Sequence, residues 1–358
     1  MLFRSNYVES TSNSYTFSNL TSDATFYVKV YVKDSNNRES SVSATSVKTK
    51  ILICSSGTNL ASCLKTYSNK GSSITNIYYH DASLTNGAGD NSYRYAGASD
   101  QVNNYVCFGS NVTPCPTDNL YRIIGVFGDK VKLIKADYAT TALLGAGGDY
   151  KQAYTATSNN SSNYKGNNLA NIAAYNWNKS NQNTWNLSNL NKTNLNTNFI
   201  TNIGAEWAAK IDMTKWKVGG NTWSNIGTQP AKTAYQNEIV SPVTTNTTDN
   251  AIDYSAKIGL MYASDYGFAA SPSAWTINLN TYDREAIKNV NWMYMGLAEW
   301  IISRSAGNAS YAFFVYSTGL VIIDNANLAL AVRPAFYLTS SVNYASGSGT
   351  AADPILVN

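Results

Sequence analysis

The sequence predicts an α+β molecule, a mixed domain of strands, helices and long loops preceded by a short all-β segment. Three observations carry that prediction. The first 49 residues alternate apolar and polar side chains with period two, the signature of strands with one covered face. Further strand-like runs flanked by turn residues occur at 120–135 and 311–332. Between them, Leu195, Phe199, Ile203, Trp207 and Ile211 recur every four positions, which predicts a helix with a single apolar stripe.

Taken in order, the N-terminal runs are Tyr15 to Leu20, a Thr21–Ala24 turn, Thr25 to Lys33, a turn at Asp34–Asn37, and Ser40 to Thr49. With a Leu-Thr turn and a Thr-x-Tyr-x-Val-x-Val strand, residues 1–50 resemble the second half of a fibronectin type III module, with Leu20, Tyr27, Val28 and Val30 on matching positions. Half a module leaves a sheet edge unpaired, so either Ile51–Ile53 complete it or the segment associates with another copy. Met1 accordingly reads as a start inside a longer protein, because Met1-Leu2-Phe3-Arg4 does not open a secretory leader.

Residues 51–75 read as a linker with a short helix at Thr58–Tyr67, whose Leu60, Leu64 and Tyr67 share a face. From 76 to 358 the chain reads as one mixed domain. Leu120–Phe127, the turn Gly128-Asp129 and Lys130–Lys135 predict a hairpin. Lys257–Tyr262 predicts a buried strand, and Met293–Glu299 looks helical. Tyr311–Tyr316, Leu320–Ile323 and Leu328–Val332 predict a three-strand meander, while 139–190 and 221–250 predict long surface loops.

Composition narrows the function. Charged residues are only 13% of the chain, against about 25% in an average soluble protein. Neutral polar groups take their place, and sixteen Asn fall within 159–198. This suits exposed loops and the Tyr/Ser/Asn chemistry of binding surfaces, or else reflects a genome that favours Asn. Net charge is 26 − 22 = +4 without a basic block, which argues against nucleic-acid partners. No apolar run approaches the ~18 residues of a membrane helix.

The four cysteines form two local pairs, and the short loops favour Cys54–Cys63 and Cys107–Cys115 among three possible connectivities. Neither spacing fits a zinc site. Disulfides imply an oxidising, extracellular address.

His80 is the sole histidine, so any catalytic triad would have to use it; it reads as a loop or packing residue. Glycoside hydrolysis needs only two carboxylates that converge in space, and Asp265, Asp283, Glu285 and Glu299 in the Trp-rich half are the candidates. Asp81 and Asp90, with Asn86 and Asn91, offer oxygen ligands for calcium, though without EF-hand spacing. No other cofactor is indicated. All eight tryptophans lie between 177 and 300. Trp207, Trp292 and Trp300 belong to core patterns. Trp177, Trp185, Trp216, Trp223 and Trp275 sit among Asn, Gly and Ser, where an indole could be exposed as a plate for a sugar ring or peptide, or could instead pin a loop.

The phrases Asp90–Gly97, Asn104–Gly109, Asn119–Val126, Trp216–Gly220 and Val332-Arg333-Pro334 make 76–358 resemble an uncharacterised family of C-terminal domains on surface proteins of gut Firmicutes, with a fold akin to C-type lectin-like and sulfatase-modifying-factor domains. That resemblance implies a bacterial cell-surface location and a structural role for Arg333 in the last core strand. It does not transfer chemistry, since the calcium- and sugar-binding tripeptides of such lectins and a reactive cysteine pair are both missing. The expectation is a non-catalytic adhesion protein binding a host or dietary glycan or a surface protein. The alternatives are a glycoside hydrolase and a structural subunit of a surface filament.

Overall fold

The computed structural model describes residues 8, 10–12, 16–17, 24–48, 52–154, 161–167, 169–242 and 251–358. It divides into two units, Met1–Leu52 and Ile53–Asn358.

In the first unit, Thr25–Val30 and Ser43–Lys48 pair antiparallel, with Tyr27 opposite Ser46. Asp34 organises the connection by accepting the backbone N–H groups of Asn36 and Arg38. Tyr27 is 78% exposed and Val32 69%, so the hairpin leaves apolar surface uncovered. The strand expected at Tyr15–Leu20 lies largely outside the described residues, as do Leu20 and Ile51.

The second unit begins before residue 76. Leu60–Ser68 is a helix whose Leu60, Ala61, Cys63 and Leu64 are buried in the main core, and Asn59 caps it by accepting the Ser62 N–H. The same Asn59 amide donates to Ser340 O, at the far end of the sequence. The expected linker is therefore part of the domain. Both disulfides, Cys54–Cys63 and Cys107–Cys115, are formed.

Two sheets frame the core. The larger has the strand order Ile258–Gly259, Ala335–Tyr337, Lys130–Lys135, Leu120–Phe127, Ser92–Tyr95, Ile77–His80, with Tyr105–Cys107 also paired to Leu120–Phe127. The predicted hairpin is its centre. Gly128 turns it with φ +62, and Phe127 faces Lys130. Gly125 sits under a close crossing of the neighbouring strand, where an added Cβ would lie 2.3 Å from Tyr93 O. The smaller sheet runs Gly220–Asn221, Glu299–Ser305, Tyr311–Val315, Val321–Asn325. Two strands of the expected meander are present, but the third is Glu299–Ser305 and not Leu328–Val332, whose Leu330 and Ala331 make only isolated bridges. Residues 293–298 are turns and bends, not a helix.

The apolar stripe from Leu195 to Ile211 is buried throughout. Its helix is wider and broken. Leu190–Phe199 is a π-helix, Ile200–Ile203 is α, and Gly204 at φ +87 interrupts it before Ala205–Ala209. A repeat of four is longer than the 3.6 residues of an α-turn, which is consistent with the wider winding.

The region expected to be surface loop at 139–190 is interior in part, chiefly over 172–178 and 183–185. Asn176, Asn178 and Asn183 are buried, and the Asn183 amide donates to Ser305 O, Asn308 O and Tyr311 O at 2.7, 2.9 and 2.8 Å. Asn194 bonds Leu144 O and Gly147 O, and Asp149 accepts the N–H groups of Lys179 and Leu190. The asparagines thus satisfy backbone groups that irregular segments carry inside, where an unpaired group is costly.

Candidate functional site

Strand Ile77–His80 is an edge of the larger sheet, and an open groove of about 750 Å³ straddles it. Residues of a strand alternate faces, so Tyr78 and His80 point to one side and Tyr79 to the other. On the first side Tyr78 meets the edge of Trp275 at 5.5 Å. On the second, Tyr79 is 41% exposed and stacks on Tyr93 at 4.5 Å, while its hydroxyl donates to Asn91 Oδ1. Asp81, Ser83, Leu84, Thr85, Asn86, Pro272 and Ser273 complete the lining. The groove therefore offers aromatic faces beside hydroxyl, amide and carboxylate groups.

Asp81 is already engaged. Its Oδ1 accepts Ser83 Oγ at 2.7 Å, Ser83 N–H at 2.9 Å and Leu84 N–H at 3.1 Å, and the Ser83 hydroxyl leads in holding the carboxyl below its ordinary range. Asp90 accepts Ser92 N–H and Oγ on one oxygen and Arg94 Nη2, at 2.6 Å, on the other. Asn86 and Asn91 occupy left-handed turn positions. Each predicted calcium ligand thus shapes the loop that follows the edge strand.

Behind the groove, His80 is buried against Phe268 and Trp275, and its Nδ1 accepts the Ala88 N–H at 3.0 Å. Burial, and after it the positive charge of Arg94, pull its pKa down to about 3, so it stays neutral. Among the described residues its Nε2 has no hydrogen-bond partner.

Deeper still, Arg94, Gly125, Lys132 and Tyr337 are register partners across four strands. Gly125 contributes no side chain, which leaves room for Arg94 and Lys132 to converge on Asp265 from helix Ala263–Phe268. A cavity of about 70 Å³ adjoins them, lined also by Asp90, Phe127, Tyr235 and Tyr262. Glu238 is buried close by and accepts the Ser264 N–H and the Ser303 hydroxyl, each at 2.7 Å.

Two of the four proposed hydrolytic carboxylates are already paired with cations. Asp265 is paired with Lys132 and Arg94, the two oxygens of Glu299 accept from Nε and Nη2 of Arg333 at 2.7 Å each, and Asp283 and Glu285 are exposed. Arg333 also donates to Met293 O, a buried anchor.

Four of the five tryptophans expected to be exposed are not. Trp177, Trp185, Trp216 and Trp275 are at most 1% exposed, and Trp223 is half-buried, stacked on Phe313. Trp177, Trp216 and Trp275 each donate an indole N–H to a backbone carbonyl, of Ile301, Ala256 and Ala270 respectively. They hold irregular segments to the core, the alternative that Asn-rich surroundings had left open. Only Trp275 reaches the groove, as its back wall. Tyr78 and Tyr79 escaped notice although they adjoin His80 and Asp81; the alternation of a short edge strand was the available signal.

No protein family, curated protein or solved structure matches the chain.

Proposed function

We propose that the second unit is a non-catalytic binding domain of an extracellular bacterial surface protein, and that it takes a glycan in the groove along Ile77–His80. The observation that carries this is the groove itself, in which the exposed Tyr79 ring and Tyr78 stand beside Asp81, Ser83, Thr85 and Asn86. A sugar offers an apolar face ringed by hydroxyls, and such a lining matches both parts. Two disulfides fit an oxidising compartment, and no helix among the described residues is long and apolar enough to cross a membrane. Binding is favoured over hydrolysis because Asp81 is the one carboxylate lining the groove, whereas the usual glycosidase places two at about 5–9.5 Å. The resemblance of 76–358 to surface-protein domains with a C-type lectin-like fold points the same way.

The full chain on a glycan array, with and without chelator, tests the reading. It should retain at least one glycan class, and Tyr79→Ala should weaken that binding about tenfold, or about 1.4 kcal/mol. Retention of no glycan, or equal binding by the variant, would overturn it. Loss with chelator would bring in a calcium held by the Asp81 loop.

A further inference from the structure

A buried amine and a buried carboxylate touch at the centre of the second unit. Lys132 Nζ lies 2.5 Å from Asp265 Oδ2, with side-chain exposures of 1% and 2%. Aromatic rings surround the amine, Tyr262 at 4.5 Å, Trp216 and Tyr337 at 5.3 Å and Phe127 at 5.7 Å from its nitrogen. The two oxygens of Asp265 are held differently. Oδ1 faces Arg94 Nη1 at 3.4 Å, while Oδ2 accepts the Tyr262 N–H at 3.0 Å as well as Lys132.

In water an ammonium and a carboxylate stay apart as hydrated ions, and forming an amide between them is uphill. Buried among aromatic rings, the ions have lost most of that hydration, so the balance moves toward the neutral product. The orientation is also supplied in advance, which is worth effective concentrations of about 10⁵–10⁸ M in well-aligned intramolecular reactions. Neither group belongs to the glycan groove, so its chemistry is not needed there.

We propose that Lys132 and Asp265 condense to an intramolecular isopeptide bond. The Nζ lone pair attacks Asp265 Cγ, forming a C–N bond. Negative charge developing on Oδ1 is met by the Arg94 guanidinium. Oδ2 takes the two protons that the ammonium gives up, the Cγ–Oδ2 bond breaks, and one water leaves. No electrons are exchanged, and no co-reactant enters. Burial lowers the Lys132 amine from the usual lysine range despite the opposing pull of Asp265, which enlarges the fraction with a free lone pair. Burial likewise raises the nearby Glu238 carboxyl, whose oxygens accept the Ser264 N–H and the Ser303 hydroxyl. The adjoining cavity of about 70 Å³ has room for the departing water, whose share of liquid volume is about 30 Å³. The bond would join strand Lys130–Lys135 to helix Ala263–Phe268, closing a loop between positions 133 residues apart.

Intact-mass spectrometry of the folded, non-reduced full chain decides the matter. The expected mass is that of the disulfide-bonded chain less one water, and proteolysis should yield a branched peptide containing both Lys132 and Asp265. Lys132→Arg keeps the positive charge and removes the reacting amine, so it should restore the missing water. A wild-type mass with no deficit overturns the proposal, as does a deficit that persists in Lys132→Arg.

Discussion

His80 shows how far a single buried side chain can be set from its solution behaviour. Its imidazole, ordinarily titrating at 6.5, is held at about 3, first by burial and then by the charge of Arg94, against a weaker opposing pull from Asp90. The folded state therefore binds fewer protons than the unfolded state between those values. Stability is fully present above pH 6.5 and is lost as the pH falls toward 3, at about 1.4 kcal/mol per pH unit from this one group. Urea titrations between pH 7 and pH 4 should show that slope in the wild type and a shallower one in His80→Phe. Equal slopes would mean that the acid sensitivity has another source. The sequence made the packing reading of His80 legible by elimination. It did not reveal the depth of burial, because Phe268 and Trp275 arrive from nearly two hundred residues away.

Among the elements, regular strands with turn chemistry were the readable ones. The hairpin 120–135 has its turn where Gly128-Asp129 put it, and both cysteine pairs closed their short loops. Strand Glu299–Ser305 was not readable, because it is buried along its whole length and shows no alternation to separate it from a helix. The Asn-rich stretches misled more. Loops are usually polar because they are wet, yet here amide side chains take over the work of water. Replacing Asn183 by Ala would remove the donor shared by the carbonyls of Ser305, Asn308 and Tyr311, of which Asn308 O also accepts the Tyr311 N–H, and should lower the unfolding free energy by about 1–3 kcal/mol in denaturant titration. A neutral effect would show that those carbonyls find other partners.

For the second unit as a whole, the two sheets are joined by a pair of side chains. Glu299 belongs to the smaller sheet, and Arg333 lies two residues before Ala335–Tyr337 of the larger. Removing one partner of a fully buried, two-pronged ion pair strands the other charge. Glu299→Gln should therefore cost about 3–5 kcal/mol, read as a lower denaturant midpoint with an unchanged slope. Arg333 was legible as an anchor through the family resemblance, although it lies just before strand Ala335–Tyr337 and not within a strand. Its partner was not, since Glu299 had been counted among hydrolytic candidates. The groove was legible only through its neighbours, because its walls come from segments near 80 and 273 that nothing in the linear pattern brings together. The interior indoles give the molecule an optical character of its own. Seven of the eight rings are shielded from solvent, so intrinsic emission should sit toward the blue and a dissolved quencher should reach mainly Trp223. Against that quiet background Trp275, at the back of the groove, is the natural reporter of anything that settles there.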